Sequence, residues 1–158
     1  MPASPLCPLL FGLALAGCAA APVPAPSQAP GFYAALASED AQVDPLAARD
    51  LISIYRHNNG RAPLTIDPAL QAAALAKARA MAAAGRAEGS AGGEPKRGFA
   101  VSNVSAGYRT LAEAFSGWRQ SPTHNAHMLD PRARRIGIAT AYAPGSKYKV
   151  FWALVLTD

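Results

Sequence analysis

Apolar residues recur at two spacings in this chain, every third or fourth position through its middle and every second position near its end. These are the periods of an amphipathic helix and of a strand. Asp44-Pro45 offers a capping side chain followed by proline at the first helical position. Ala47, Leu51, Ile54 and Tyr55 then mark a helical stripe that stops at Asn58-Asn59-Gly60. Asp67-Pro68 repeats the signal and opens a helix whose Leu70, Ala74, Ala78 and Met81 share one face until Gly85. Its many alanines allow close approach to a sheet or another helix. Thr110-Leu111-Ala112-Glu113 spells a capping box, in which hydroxyl and carboxylate satisfy free amides at a helix start, and Leu111, Phe115 and Trp118 form the stripe that follows. Ser121-Pro122 opens a short fourth helix through Leu129, ended where Pro131 follows Asp130.

The period then changes. Ile136, Ile138, Thr140 and Tyr142 alternate, Ala143-Pro144-Gly145-Ser146 turns, and Tyr148, Val150, Trp152, Leu154 and Leu156 alternate again, which predicts an antiparallel hairpin. Residues 85–100, rich in glycine and mixed charge, read as a surface loop. Helices followed by a terminal hairpin predict an α+β fold in which helices are layered on an antiparallel sheet.

The N-terminus has a different pattern. An eight-residue apolar run, Leu9 to Ala16, suits a signal segment and is too short to span a bilayer. It leads into Leu15-Ala16-Gly17-Cys18, which resembles the bacterial lipobox, where the cysteine is diacylated before cleavage. Positions 1 to 8 lack the Lys or Arg usual in such a segment, and an ordinary secretory signal ending near a cysteine is the other reading. The expected organisation is a signal peptide over 1–17, a lipidated Cys18 with a Pro/Ala-rich tether over 18–43, and a domain over 44–158. Cys7 falls in the discarded segment, so the mature chain forms no intramolecular disulfide and its core alone must stabilise it. Two or three acyl chains on Cys18 give stable membrane anchoring where one does not, and Ala19 resembles the choice of lipoproteins bound to the outer membrane. Residues 19–30 hold four prolines and no charge, favouring an extended spacer that reaches on the order of 35 Å. Residues 31–43 are open between tether and a short helical turn carrying Phe32, Tyr33 and Leu36.

Charge changes the picture little. The formal net charge of +5 comes from Lys and Arg spread over several elements, a solvated basic surface or one drawn to anionic envelope polymers and lipid head groups. No aromatic-studded basic strip or reading helix points to nucleic acid.

Specific residues over 46 to 157 resemble the bacterial CAP-domain pattern (the cysteine-rich secretory protein, antigen 5 and pathogenesis-related 1 superfamily, or SCP-like domains). They are Leu51-Ile52-Ser53-Ile54-Tyr55-Arg56 with Gly60 and Pro63-Leu64, Ser102-Asn103-Val104 where the family has Glu-Asn-Val or Glu-Asn-Ile, Trp118-Arg119-Gln120-Ser121-Pro122-Thr123-His124 against Trp-x-x-Ser-Pro-x-His, and Ile136-Gly137-Ile138 before a Tyr/Phe-Trp strand. The resemblance implies a three-layer α-β-α sandwich. It also implies a cleft with two histidines and two acidic residues, which in some members binds a divalent metal. Here His124 matches the second histidine, the first would fall near Glu88 to Ser90 where there is none, Ser102 replaces the glutamate, and Glu113 is a possible second acid.

Catalysis finds little support in these residues. A zinc site needs three or four converging ligands, and His124 with His127, Asp130 or Glu113 nearby is a weak set; His124 hydrogen-bonded to backbone is the plainer reading. No free cysteine or Gly-x-Ser-x-Gly elbow supplies a nucleophile. Ser102 reads as polar cleft lining, Asn103 as a tether for the turn after it, Glu113 as half of the capping box, and Trp118 and Trp152 as core. No catalytic residue, metal or cofactor is therefore expected. The expectation is a cell-envelope lipoprotein carrying a non-enzymatic module for a lipid, cell-wall or protein ligand, on the outer membrane facing the periplasm. The alternatives are a metal-dependent hydrolase around His124, or a structural lipoprotein whose contacts run through Arg132, Arg134 and Arg135.

Overall fold

The computed structural model describes residue 1, residues 31–88 and residues 99–158. Residues 2–17 of the expected signal segment, Cys18, the expected tether to Pro30 and the stretch 89–98 lie outside the described residues. Helix α1 (Pro45–Asn58) is followed by strand β1 (Thr65–Ile66), α2 (Pro68–Ala84), β2 (Ala100–Ala106), α3 (Leu111–Gln120), α4 (Pro122–Met128), β3 (Arg135–Tyr142) and β4 (Val150–Thr157). Among the described residues no helix is long and apolar enough to cross a membrane.

The helix starts are where the polar signals placed them. Asp44 accepts from Leu46 N at 2.8 Å, and Asp67 accepts from Ala69 N and Leu70 N at 2.8 and 3.1 Å. Thr110 and Glu113 form the reciprocal capping box. Helix α2 ends where Gly85 takes a left-handed φ of 69°, a conformation that costs a residue with a Cβ.

The sheet has the order β1-β3-β4-β2, with β3–β4 and β4–β2 antiparallel. Two strands go beyond the sequence expectation. Strand β1 runs parallel to β3 through only two pairs, Thr65 with Arg135 and Ile66 with Ile136, too short to leave a periodic trace. Strand β2 adds the other edge, and its Ser102, Asn103 and Ser105 break the apolar alternation by which strands are recognised. Tyr148 stands outside β4 and is exposed, whereas every residue of β4 is buried.

Helices cover both faces, giving the α-β-α layers. Ile136, Ile138, Trp152, Leu154 and Leu156 face α1, α3 and α4 in the larger core. Ala139, Ala141, Phe151, Ala153 and Val155 face Leu70, Ala74, Ala78 and Met81 of α2. The second face is small because α2 lies close: a Cβ on Gly137 would sit 2.1 Å from the carbonyl carbon of Leu70. Gln71 uses that proximity. Beyond the end of β1 its side chain donates to Ile138 O at 2.5 Å and accepts from Ile138 N at 3.0 Å, so an amide side chain takes the place of a neighbouring strand.

The segment before α1 packs on the domain. Gly31–Tyr33 form a single 3-10 turn, Leu36 and Val43 are buried, and Leu36 N donates to Arg109 O at 2.8 Å while Val43 N donates to Thr140 Oγ1 at 3.1 Å. Packing therefore starts ahead of Asp44.

The buried stripe of α1 is one position from the expected one. Ala48, Ile52 and Arg56 face the core, and Ile54 is 63% exposed. Arg56, polar by residue type, lies on this stripe, and its side chain is fully buried. Its Nε donates to Ala62 O at 2.8 Å, Nη1 to Met128 O at 2.6 Å and Asp130 O at 3.1 Å, and Nη2 to Ala133 O at 2.9 Å. Burial lowers its pKa, the positive Arg134 and Arg61 act in the same direction, and Asp130 opposes them. Arg56→Met keeps much of the stem and leaves these carbonyls without their donor; chemical denaturation is expected to show a loss of about 3–5 kcal/mol.

Candidate functional site

The residues singled out from sequence divide between the two faces of the sheet. Alternation along β2 sends Ser102 toward α2 and Asn103 toward α4. Lys77 Nζ donates to Ser102 Oγ at 3.0 Å, and Lys77 is itself buried at 3% exposure. Its position was the available signal: residue 77 lies three after Ala74 and four before Met81, on the apolar stripe. Ser102 is thus engaged by a lysine of α2 and does not face His124.

Asn103 is fully buried and holds α4 to the sheet. It was expected to tether the turn after it; instead its Nδ2 donates to His124 O at 2.9 Å, and its Oδ1 lies 2.9 Å from His127 Nδ1. The carbonyl acceptor fixes which end of the amide is which. Only a donor can then face Oδ1, so His127 carries its proton on Nδ1, and in the neutral ring Nε2 is left with a free lone pair. A second tie sits alongside: Tyr55 Oη donates to Asn125 Oδ1 at 2.8 Å, with the Tyr55 ring edge-on to Phe115. From the sequence Tyr55 reads as part of the α1 stripe and not as a tie to α4, and Asn125 carries no signal.

His124 is half-buried, and its backbone oxygen, not its ring, carries the hydrogen bond to Asn103. Burial depresses the imidazole pKa below its usual value, and the nearby His127 adds to the shift. Glu113, the possible second acid, is exposed and occupied: its Oε2 accepts from Arg109 N at 2.6 Å and Thr110 N at 3.3 Å. Asp130 pairs with Arg132 at 2.9 Å, and Arg132 also stacks over the Phe99 ring at 4.0 Å.

This donor set does not fit a divalent metal. Ser102 offers a hydroxyl already taken by a lysine, Glu113 is spent on helix amides, and among the described residues no group of three or more His, Cys, Asp or Glu is placed to hold an ion. Four hollows of the described surface lie elsewhere; none of the four is lined by His124, Glu113, Ser102 or Asn103.

The model of the Cysteine-rich secretory protein family matches residues 49–156. No curated protein matches the chain. Solved structures do. An outer surface protein from Borrelia burgdorferi is 15% identical with a TM-score of 0.61, over 70% of this chain and 88% of that one. An extracellular protein containing a SCP domain from Bacillus anthracis is 17% identical with a TM-score of 0.59, over 72% and 40%. A cysteine-rich secretory protein from Staphylococcus aureus is 15% identical with a TM-score of 0.53, over 72% and 38%. This chain therefore spans less than half the length of the last two, and at such identity the likeness is one of fold.

Two outcomes follow from the geometry around α4. Asn103→Ala leaves His124 O and His127 without their partner and is expected to cost about 2 kcal/mol, with amide exchange rising first in α4. Because the His124 pKa is lower folded than unfolded, the unfolded chain binds the extra proton. Stability is therefore full above pH about 6.5 and falls as pH drops below it. Urea midpoints between pH 7.5 and 5 should show this fall, and His124→Asn should flatten it. Asp67, held low by the Leu70 amide first and then by Ala69 N and Arg135, and Asp130, held low chiefly by Arg132, act in a separate, more acidic window, as pH falls through their own depressed values.

Proposed function

We propose that this chain, which belongs to the Cysteine-rich secretory protein family, is a cell-envelope lipoprotein whose domain is a non-enzymatic binding module for a lipid, cell-wall or protein ligand. One observation carries the reading. Apart from the His124 ring, the polar groups at the family's cleft positions are engaged in holding the fold together: Ser102 by Lys77, Asn103 by His124 O and His127, and Glu113 by the capping box of α3. General acid–base or nucleophilic catalysis needs groups left free to exchange protons or attack.

The anchor is proposed on Leu15-Ala16-Gly17-Cys18 and the proline-rich spacer after it. An outer-membrane position facing the periplasm fits Ala19, and an envelope setting accords with structural neighbours described as extracellular or outer surface proteins. A metal-dependent hydrolase is the second reading, favoured by His124 alone: its depressed pKa keeps the ring neutral, with a lone pair to offer, near pH 7.

Mass spectrometry decides between them. The full chain recovered from membranes should carry the mass of acyl groups on Cys18, and Cys18→Ser should move it to the soluble fraction. Under native conditions in zinc-containing buffer, the expected adduct is an organic ligand with no metal. An unacylated chain would remove the anchor, and stoichiometric zinc lost in His124→Ala would replace the binding module with the hydrolase.

A further inference from the structure

The N-terminal segment meets the domain at one end of the sheet. Around the Leu36–Arg109 hydrogen bond, a hollow of about 240 Å³ is lined by Leu36, Ala37, Arg109, Tyr142, Lys149 and Val150. The loop between β3 and β4 projects from this end, with Tyr148 42% exposed on it and Lys147 Nζ 5.7 Å from the Tyr148 ring. Tyr33, 59% exposed, belongs to the turn by which the described chain arrives. Leu46, 56% exposed, stands in the first turn of α1, just after Asp44, which lines a second hollow with Gly31 and Leu36.

Cations at the two ends of the sheet are used differently. At the far end Arg132 pairs with Asp130 and Arg135 with Asp67. Arg109, Lys147 and Lys149 are exposed and have no ion pair among the described residues. Lys149 also holds a positive φ of 64°, unusual for a residue with a side chain, and its amino group turns back onto Pro144 O. Exposed aromatic rings beside unpaired Lys and Arg suit a bilayer interface, where rings sit at head-group depth and each cation near an anionic leaflet adds a similar increment of attraction.

We propose that this end of the domain, comprising Arg109, Lys147, Lys149, Tyr33 and Tyr148, docks on an anionic phospholipid surface. The position of residue 31 argues for that partner, because only the twelve residues 19–30 separate it from Cys18, so an anchored Cys18 holds this end of the domain within reach of a bilayer. The proposal rests on the envelope-lipoprotein reading in supposing a bilayer within reach of residue 31. Glu39 and Asp40, exposed in the turn after Ala37, oppose such docking.

The test uses the full chain with Cys18→Ser, so that no acyl group contributes and the apolar N-terminal run is common to all variants. Sedimentation with vesicles of phosphatidylglycerol and phosphatidylcholine should exceed that with phosphatidylcholine alone and should weaken with salt. Arg109→Glu, Lys147→Glu and Lys149→Glu together should reduce binding on the order of 100-fold or more. Arg109→Gln with Lys147→Gln, which leaves the Lys149 backbone untouched, should give roughly a tenfold loss or more with unchanged thermal unfolding. Arg132→Glu at the far end should change nothing, and Glu39→Gln with Asp40→Asn should strengthen binding. Equal binding of parent and Arg109/Lys147 variant, or indifference of the parent to phosphatidylglycerol, overturns the proposal. An acylated wild-type chain with such indifference would keep the lipoprotein reading and lose this surface; charge-dependent binding without acylation of the wild type would do the reverse.

Discussion

A buried guanidinium hydrogen-bonded to backbone carbonyls, with no ion pair among the described residues, is stabilised chiefly by dipoles, and the geometry that does so for Arg56 organises the surrounding fold. Its acceptors come from the segment after α1 and from the segment joining α4 to β3. One rigid planar donor therefore fixes how two stretches remote in sequence approach each other. The second stretch contains the end of α4 and the approach to β3, where Arg134 O accepts from Thr65 N and Arg134 N donates to Thr157 O. The approach to the sheet and the C-terminal end of α4 are thus tied together by a single side chain.

Asn103 completes the arrangement from the other side. Arg56 holds the C-terminal end of α4 through Met128 O, and Asn103 holds its middle through His124 O and His127. A seven-residue helix has too few internal hydrogen bonds to persist alone, so these two side chains supply what length does not. Ser102, Asn103 and Glu113 are thereby part of the framework of this domain.

Much of the architecture was legible in the sequence, for physical reasons particular to each part. The starts of α1, α2 and α3 are written in local chemistry, Asp-Pro twice and a capping box once, and local chemistry needs no tertiary information. The hairpin was legible because both strands carry period-two apolar residues. Strand β2 was not, since Asn103 and Ser105 point inward where apolar residues are expected, and β1 is too short for any period. Arg56 was not legible as part of the α1 stripe because a buried arginine looks polar until its acceptors are known, and those lie six to 77 residues away. Of the site, His124 and the role of Glu113 as a cap could be read directly. The separation of Ser102 from Asn103 across the sheet required knowing that the segment is a strand, and Lys77 required knowing that the alanine-rich face of α2 is covered by it.

The Gln71 amide has a consequence beyond the single fold. Past its two-residue neighbour, β3 would present open backbone donors and acceptors, the template on which another copy's strand adds. By occupying both backbone groups of Ile138, one glutamine closes that pair of groups to an added strand along this side of the sheet.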